Sequence, residues 1–170
     1  IIPDANANVN ICLHGNDITS TAGKKIWYLN KGATVTVTDC ADAHGSITGC
    51  KNEPAVQVDV GATFQMYGGK ITGVTTTGEG IILLAKGNTT TVGGTFIMYG
   101  GEISGNTCKR GTIMMANATG ENKSAVVRIL GGTITGNHAT GTSTTTGGGA
   151  GILAMSPVEV GGNAKIYGNT

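Results

Sequence analysis

The residues that could carry acid–base chemistry are few. Asp39, Asp42 and His44 lie close together in one segment, where a carboxylate beside an imidazole could act as a general base. A polysaccharide lyase or glycosidase would need such groups gathered on one face of the fold, whereas the ten acids of this chain are scattered along it. We therefore expect Asp39 to cap a turn and the other two side chains to be solvated.

Lys70 and Glu102 are the next candidates, because they occupy equivalent positions in two related segments. We expect them to face each other as a surface charge pair and not as a catalytic pair. His14 and His138 have no acidic neighbours in the sequence, so we expect surface or corner packing for both. No catalytic residue is predicted.

The four cysteines are Cys12, Cys40, Cys50 and Cys108. They form no CxxC pair and show no histidine spacing typical of zinc, so the sequence predicts no metal site. Disulfides would suit an oxidising, extracellular location, and buried free thiols are the alternative. Both interpretations stay open.

The composition argues against several classes of function. The 170 residues include 30 glycines, and Thr, Asn and Val are frequent, which favours strands and turns over helices. The net charge of +1 offers no basic field for nucleic acid.

No apolar run approaches the roughly 18 residues of a membrane span, so we expect no membrane insertion. No glycine-rich phosphate loop precedes a predicted helix, and we expect no cofactor.

A motif of about thirty residues recurs along the chain. GATFQMYGGKITG begins at Gly61, GGTFIMYGGEISG begins at Gly93, and a weaker copy surrounds Val127. Each copy ends in a triplet with a central isoleucine. The six central residues are Ile18, Ile47, Ile71, Ile103, Ile134 and Ile166. Period-two alternation in a strand turns all six inward.

Another strand recurs between these copies, in EGIILLAKG, RGTIMMANA and AGILAMS. Each repeat therefore contains three short strands with glycine pairs at the corners. This pattern predicts an all-β right-handed parallel β-helix of about six turns, formed by residues 1–170 as one domain. A propeller needs four antiparallel strands per blade, and a leucine-rich repeat needs an LxxLxLxxN pattern that is absent. A β-sandwich would not explain six copies of one triplet.

Two outward surfaces are candidates for binding. Alternation in the recurrent middle strand turns Ile82, Leu84, Ile113, Met115, Leu153 and Met155 inward. It leaves an apolar stripe outward, consisting of Ile81, Leu83, Thr112, Met114, Ile152 and Ala154. This stripe could contact a partner, or segments 117–124 and 139–149 could fold back and cover it. Tyr67 and Tyr99 form a second column, continued by Leu130, which either stacks along the solenoid or binds sugar rings.

The ordered succession CLHGNDI, GATVTVTDC, GSITG and GGTFIMYGGEISGN resembles the right-handed β-helix repeats of very large surface and secreted proteins of anaerobic, gut-type bacteria. The resemblance covers nearly the whole chain. It implies a secreted or wall-attached location and no assigned chemistry, although pectate lyases and other polysaccharide-active enzymes share the broader fold class. The cysteines common in that family match Cys12 and Cys40, which implies a disulfide between them, although the register predicted above puts them in different columns. Cys40 with Cys50 is the alternative pairing, which would close the loop 41–49.

These patterns together predict an extracellular or cell-surface module that is structural or adhesive and does not catalyse a reaction. We expect it to be a fragment or a protomer of a larger assembly, since uncapped solenoid ends expose strand edges. Its partners would be other copies, joined end to end or laterally into a fibre, or a glycan or protein of a cell surface. The alternative is a carbohydrate-binding or polysaccharide-degrading β-helix.

Overall fold

The predicted all-β fold is confirmed. A computed structural model describes residues 1–78, 80–116, 120–141 and 148–170, and strands are the only regular elements within these ranges. The strands stack in parallel into a β-solenoid with three strands per turn. Two of its sheets contain six strands and the third contains five, so the solenoid completes about five turns and not the expected six.

The strands belong to three long sheets and one short one. The first sheet contains β1 (Asn8–Cys12), β4 (Thr34–Thr38), β7 (Thr63–Met66), β10 (Thr95–Met98), β14 (Val126–Ile129) and β18 (Val158–Val160). The second contains β2 (Ile18–Thr19), β5 (Ser46–Thr48), β8 (Lys70–Thr72), β11 (Glu102–Ser104), β15 (Thr133–Thr135) and β19 (Lys165–Tyr167). The third contains β3 (Trp27–Leu29), β6 (Val56–Val58), β9 (Ile82–Leu84), β13 (Ile113–Met115) and β17 (Ile152–Leu153). A two-stranded sheet pairs β12 (Thr107–Cys108) with β16 (His138–Ala139).

The six isoleucines of the triplets form one continuous column, as predicted. Each pairs in register with the next along the second sheet. Ile47, Ile71, Ile103 and Ile134 are fully buried, whereas Ile18 is half-buried and Ile166 is 39% exposed. Because adjacent turns place the same side chain at the same position, each isoleucine packs against the isoleucine of the neighbouring turn.

Turn length is less regular than strand register. In the first sheet Val9 pairs with Val35, Val35 with Phe64, and Phe64 with Phe96. The stretch of chain between paired residues is therefore longer at the second of these steps than at the first, and longer again at the third. The paired strands keep their register in spite of this, so the corners between strands take up the difference.

Aromatic residues fill part of the core. The rings of Phe64 and Phe96 stack with centroids 5.6 Å apart and planes inclined by 16°. Trp27 packs against Phe64 at 6.0 Å, and all three side chains are fully buried. Phe64 and Phe96 are neighbours in the first sheet and Trp27 reaches Phe64 from the third, so these contacts join different turns and two sheets through the core.

Asparagine side chains form a second internal column. Asn106 donates from Nδ2 to the carbonyl oxygen of Ile71, while its Oδ1 accepts from the amide of Val74. Asn137 and Asn169 repeat this pattern in the next two turns. Since Asn106 and Asn137 are almost completely buried, these bonds satisfy polar groups that water cannot reach.

Glycines form the corners before the isoleucine triplets, as predicted. Gly69, Gly101 and Gly132 have φ values of +76°, +85° and +79°, a region that side chains with a Cβ rarely adopt. A Cβ on Gly101 would lie 2.7 Å from the carbonyl oxygen of Gly69 in the preceding turn. Glycine is therefore required there for both conformation and space.

Within the described ranges, no helix has the length and apolar character needed to cross a membrane.

Candidate functional site

The densest group of chemically reactive side chains lies where β1 and β4 end. Cys12, the last residue of β1, pairs in register with Thr38, so Cys40 lies just beyond that partner in the next turn. The Sγ atoms of Cys12 and Cys40 lie 3.0 Å from each other. The Nδ1 atom of His14 lies 3.2 Å from the Sγ of Cys40. We call Cys12, His14 and Cys40 the thiol–imidazole cluster.

His14 is turned toward the thiols by its backbone. Its φ is +49°, in the left-handed region, and Gly15 follows at +76°. The amide of Gly15 donates to Oδ1 of Asp39 at 3.0 Å, and the side-chain amide of Asn16 donates to the carbonyl oxygens of Leu13 and His14. A tight turn after β1 therefore holds the imidazole beside Cys40.

Asp39 supports this turn from the neighbouring strand. Its carboxylate accepts from the amides of Gly15, Ala41 and Gly45, and its side chain is fully buried. Burial opposes ionisation, but the three amides outweigh it and lower the pKa of the Asp39 carboxyl group. The expected role of Asp39 as a turn cap is confirmed.

The other members of the predicted acid–imidazole cluster do not converge on a reactive centre. His44 Nδ1 lies 3.8 Å from the Asp39 carboxylate and its side chain is 53% exposed. Asp42 is exposed. The group therefore consists of one buried cap and two surface side chains, as the sequence indicated.

The two clustered thiols form a hydrogen bond in which either sulfur can be the donor. The hydrogen bond with Cys40 lowers the pKa of the Cys12 thiol, with a further contribution from Thr38, while the same contact raises the pKa of Cys40. The two thiols therefore titrate as a pair, and the contact between them eases loss of the first proton. All three members of the cluster are exposed, and their ligand atoms lie within 4.8 Å of one another. Such groups can form a disulfide or bind a soft metal ion.

The structure brings together the cysteines that the family resemblance paired. All four cysteines are free thiols here. Cys12 and Cys40 lie in different columns, as the predicted register requires, and their side chains still meet just beyond the ends of β1 and β4. Cys50 is fully buried, whereas Cys40 is exposed and lies against Cys12. Burial raises the pKa of Cys50 and Cys108.

The prediction that six residues of the middle strands form an outward apolar stripe is only partly correct. Ile81 and Thr112 are fully buried, because they belong to an inward column with Ile26 and Ala55 at the corner before each strand. Leu83 is half-buried, and Met114 beside it is 5% exposed. With Gln57 and Arg110 these two residues line a shallow groove of about 330 Å³.

The third copy of this strand is shifted by one residue relative to the prediction. Ile152 pairs with Ile113 and Leu153 with Met114, so Ile152 continues the inward column and Leu153 the outward one. Ala154 lies beyond β17 and is exposed. A slip of one residue exchanges the two faces of a strand, which explains the wrong assignment. Of the segments expected to cover the stripe, 117–119 and 142–147 lie outside the described residues.

Tyr67 and Tyr99 stack on each other on the outer surface of the solenoid. Their ring centroids are 4.4 Å apart with planes inclined by 15°, and the residues are 48% and 37% exposed. Partial burial and the adjacent Tyr99 raise the pKa of the Tyr67 hydroxyl. One face of each ring is occupied by the other ring, so the pair presents mainly ring edges and hydroxyl groups.

Lys70 and Glu102 face each other, as predicted. They pair in register between β8 and β11, and Nζ lies 3.9 Å from the carboxylate. The side chains are 41% and 35% exposed, and Ser104 also donates to Glu102. This arrangement is a surface charge pair along the strand ladder.

Sequence reasoning expected surface or corner packing for His14, and its exposed position in the turn after β1 agrees with that; what it did not anticipate is the contact between His14 and Cys40. The signal was the short spacing Cys12-x-His14 at a strand end, with Cys40 about one turn later. Only the parallel stacking of turns brings the three side chains together.

No protein-family model, curated protein or solved structure matches this chain.

Proposed function

We propose that this chain is a non-catalytic structural module, a rigid β-helix segment of a secreted or surface-attached bacterial protein. The observation that carries the proposal is that most of its acidic side chains bond to a residue of a neighbouring turn. Of the nine acids that lie within the described ranges, six contact a residue about one turn away in the sequence. The pairs are Asp17 with Ser46, Asp39 with Gly15, Glu53 with Lys24, Asp59 with Tyr28, Glu102 with Lys70, and Glu159 with Arg128.

Each of these contacts links one turn to the next. Asp17, for example, accepts from both the amide and the hydroxyl of Ser46 at 2.8 Å. A carboxylate that serves as general acid or base must instead exchange protons with a substrate, and inverting or retaining glycosidases hold two of them at a fixed separation. The engagement of acids between turns therefore favours a cross-linking role over catalysis.

The geometry of a stiff rod supports the same proposal. Parallel strands in register rise about 4.8 Å per turn, so six stacked strands span about 24 Å along the axis. Columns of stacked phenylalanine, isoleucine and asparagine side chains connect successive turns along this axis. A module of this type holds attached segments at a fixed distance. The secreted location rests on the resemblance of the repeat motifs.

A carbohydrate-binding role is the second candidate, and the exposed Tyr67–Tyr99 stack favours it. Edges and hydroxyl groups of stacked tyrosines can hydrogen-bond to sugars, although the shared ring face leaves less area for stacking. An adhesive module would combine this surface with the stiff rod.

Two measurements separate these roles. A reducing-sugar assay across plant and microbial polysaccharides should detect no turnover by the purified chain. Turnover that is lost in Glu102→Gln and kept in Glu159→Gln, a matched exposed ion-pair variant, would contradict the non-catalytic proposal. Saturable binding on a glycan array that weakens in Tyr99→Ala, and not in Tyr167→Ala at another exposed tyrosine, would establish the carbohydrate-binding role instead.

A further inference from the structure

The thiol–imidazole cluster contains the donor atoms that proteins use for zinc. We propose that the reduced chain binds one Zn²⁺ ion through Sγ of Cys12, Sγ of Cys40 and Nδ1 of His14, with water in the fourth position. This site is independent of the proposed structural function.

The distances fit a site that needs only small side-chain movements. Zn–S bonds of about 2.3 Å and Zn–N bonds of about 2.0 Å in a tetrahedron place two sulfurs about 3.8 Å apart and sulfur about 3.5 Å from nitrogen. The observed separations are 3.0 Å between the sulfurs and 3.2 Å between Cys40 Sγ and His14 Nδ1. Because all three residues are exposed, rotation about χ1 can open the cluster without disturbing the core.

The chemistry of the donor set favours Zn²⁺. Two thiolates and a neutral imidazole balance the charge of a divalent ion, and both ligand types suit zinc, whereas calcium and magnesium prefer oxygen ligands. The exposed position leaves room for water to complete the tetrahedron, as it does in zinc sites with three protein ligands.

The surrounding hydrogen bonds position two of the ligands. Oδ1 of Asp39 accepts from the amide of Gly15, next to His14, and from the amide of Ala41, next to Cys40. One buried carboxylate thus ties together the turns that carry the histidine and the second cysteine. Asn16 closes the same turn on the other side of His14. The backbone that presents the ligands is held before any metal binds.

The test uses the full chain, kept reduced and oxygen-free, and titrated with Co²⁺ and then Zn²⁺. We expect one equivalent of Co²⁺ to give thiolate-to-metal charge-transfer absorption, which Zn²⁺ then abolishes. Cys12→Ser and His14→Asn each remove a proposed ligand, so each should weaken Zn²⁺ binding by at least about 10–100-fold, the loss that follows removal of an outer-shell partner alone. Asparagine tolerates the left-handed backbone of position 14, so this variant keeps the turn.

His44→Ala is the matched control, because it removes an exposed imidazole near Asp39 that is not a proposed ligand. Circular dichroism of each variant without metal checks that it folds, and Zn²⁺ should raise the thermal midpoint of the parent chain and not that of Cys12→Ser. Absence of Zn²⁺ uptake by the reduced chain would overturn the proposal. Equal Zn²⁺ affinity in the parent and Cys12→Ser would overturn it as well, as would a Cys12–Cys40 disulfide that persists with reductant and Zn²⁺ both present.

Discussion

The side-chain amide of Asn106 donates a hydrogen bond to the side-chain oxygen of Asn137, one turn further along the solenoid, at 2.9 Å. The backbone amide of Asn106 donates to the same oxygen at 3.2 Å. Asn137 therefore satisfies two donors of the preceding turn, while its own Nδ2 donates to the carbonyl oxygen of Ile103 and to Oδ1 of Asn169. This chain of bonds makes the stability of each turn depend on the next.

Replacing Asn137 by alanine should destabilise the fold by about 3 kcal/mol, because it leaves buried donors and an acceptor without partners. Urea denaturation followed by circular dichroism measures the change. Asn10→Ala, on the exposed face of β1, is the control and should change the free energy of unfolding by less than about 0.5 kcal/mol. Equal effects of the two variants would show that the column contributes little.

Phe96→Ala should cost about 4 kcal/mol, since it removes a fully buried ring from the stack with Phe64 and leaves a cavity between turns. The neighbouring residue Ile97 lies on the opposite, half-exposed face of β10, so Ile97→Ala should cost much less. Denaturant midpoints of the two variants test this assignment of faces. A larger loss for Ile97→Ala would mean that β10 is oriented the other way.

Gly101→Ala should destabilise the chain by about 3 kcal/mol, because an alanine there combines the strain of a left-handed backbone, about 1–2 kcal/mol, with a close approach of Cβ to the carbonyl oxygen of Gly69. Gly136→Ala isolates the first effect, because Gly136 has a φ of +60° and no atom lies within 4 Å of the added Cβ. Thermal unfolding should therefore rank the parent above Gly136→Ala and Gly136→Ala above Gly101→Ala. Equal midpoints for the two variants would contradict the steric argument.

Acid should destabilise the chain through Asp39. Its pKa is lower in the folded state than in the unfolded state, so the stabilisation is complete above the unfolded value of about 3.9. It is lost as pH falls through the lower folded pKa. The free energy of unfolding, measured from pH 7 to pH 2, should thus decline less steeply in Asp39→Asn than in the parent. Asp42→Asn, at an exposed neighbouring position, should keep the parent profile, and a flattened profile in that control alone would refute the assignment.

The sequence predicted best those features that repeat. Ile71 and Ile103 occupy the same position in nearly identical segments, and this equivalence alone placed them in one inward column. The same logic paired Lys70 with Glu102 and Tyr67 with Tyr99. A parallel solenoid makes such inference effective, because equivalent positions in adjacent turns are direct neighbours.

Prediction failed where the repeat changes length. Gly80, Gly111 and Gly151 suggested a common start for the middle strands, but Ile152 aligns with Ile113 and not with Thr112. In the third copy the strand begins one residue closer to the glycine. The residues brought inward by either register are similarly hydrophobic, so the sequence does not distinguish the two. Only the pairing of backbones decides between the two registers.

The thiol–imidazole cluster lay beyond the reach of pattern analysis for a different reason. Cys12 and Cys40 do not share a column, and the cluster depends on where the two strands end and on a left-handed residue at His14. Neither feature has a periodic signature. The capping role of Asp39 was predicted, yet its bond to Gly15 in the preceding turn, which sets the position of His14, depends on how the two turns stack.

The turns differ in length although their strands keep one register. Mutations that lengthen the chain are therefore tolerated best at the corners. The turns along the first sheet already differ in length while Val9, Val35, Phe64 and Phe96 stay aligned. Insertions or deletions at a corner would leave every strand on its neighbour, whereas a single inserted residue within a strand would exchange its inner and outer faces. Duplication of a whole turn would add a neighbour without altering those on either side. Divergence in such a protein is therefore expected in length and at the corners, with the inward columns changing least.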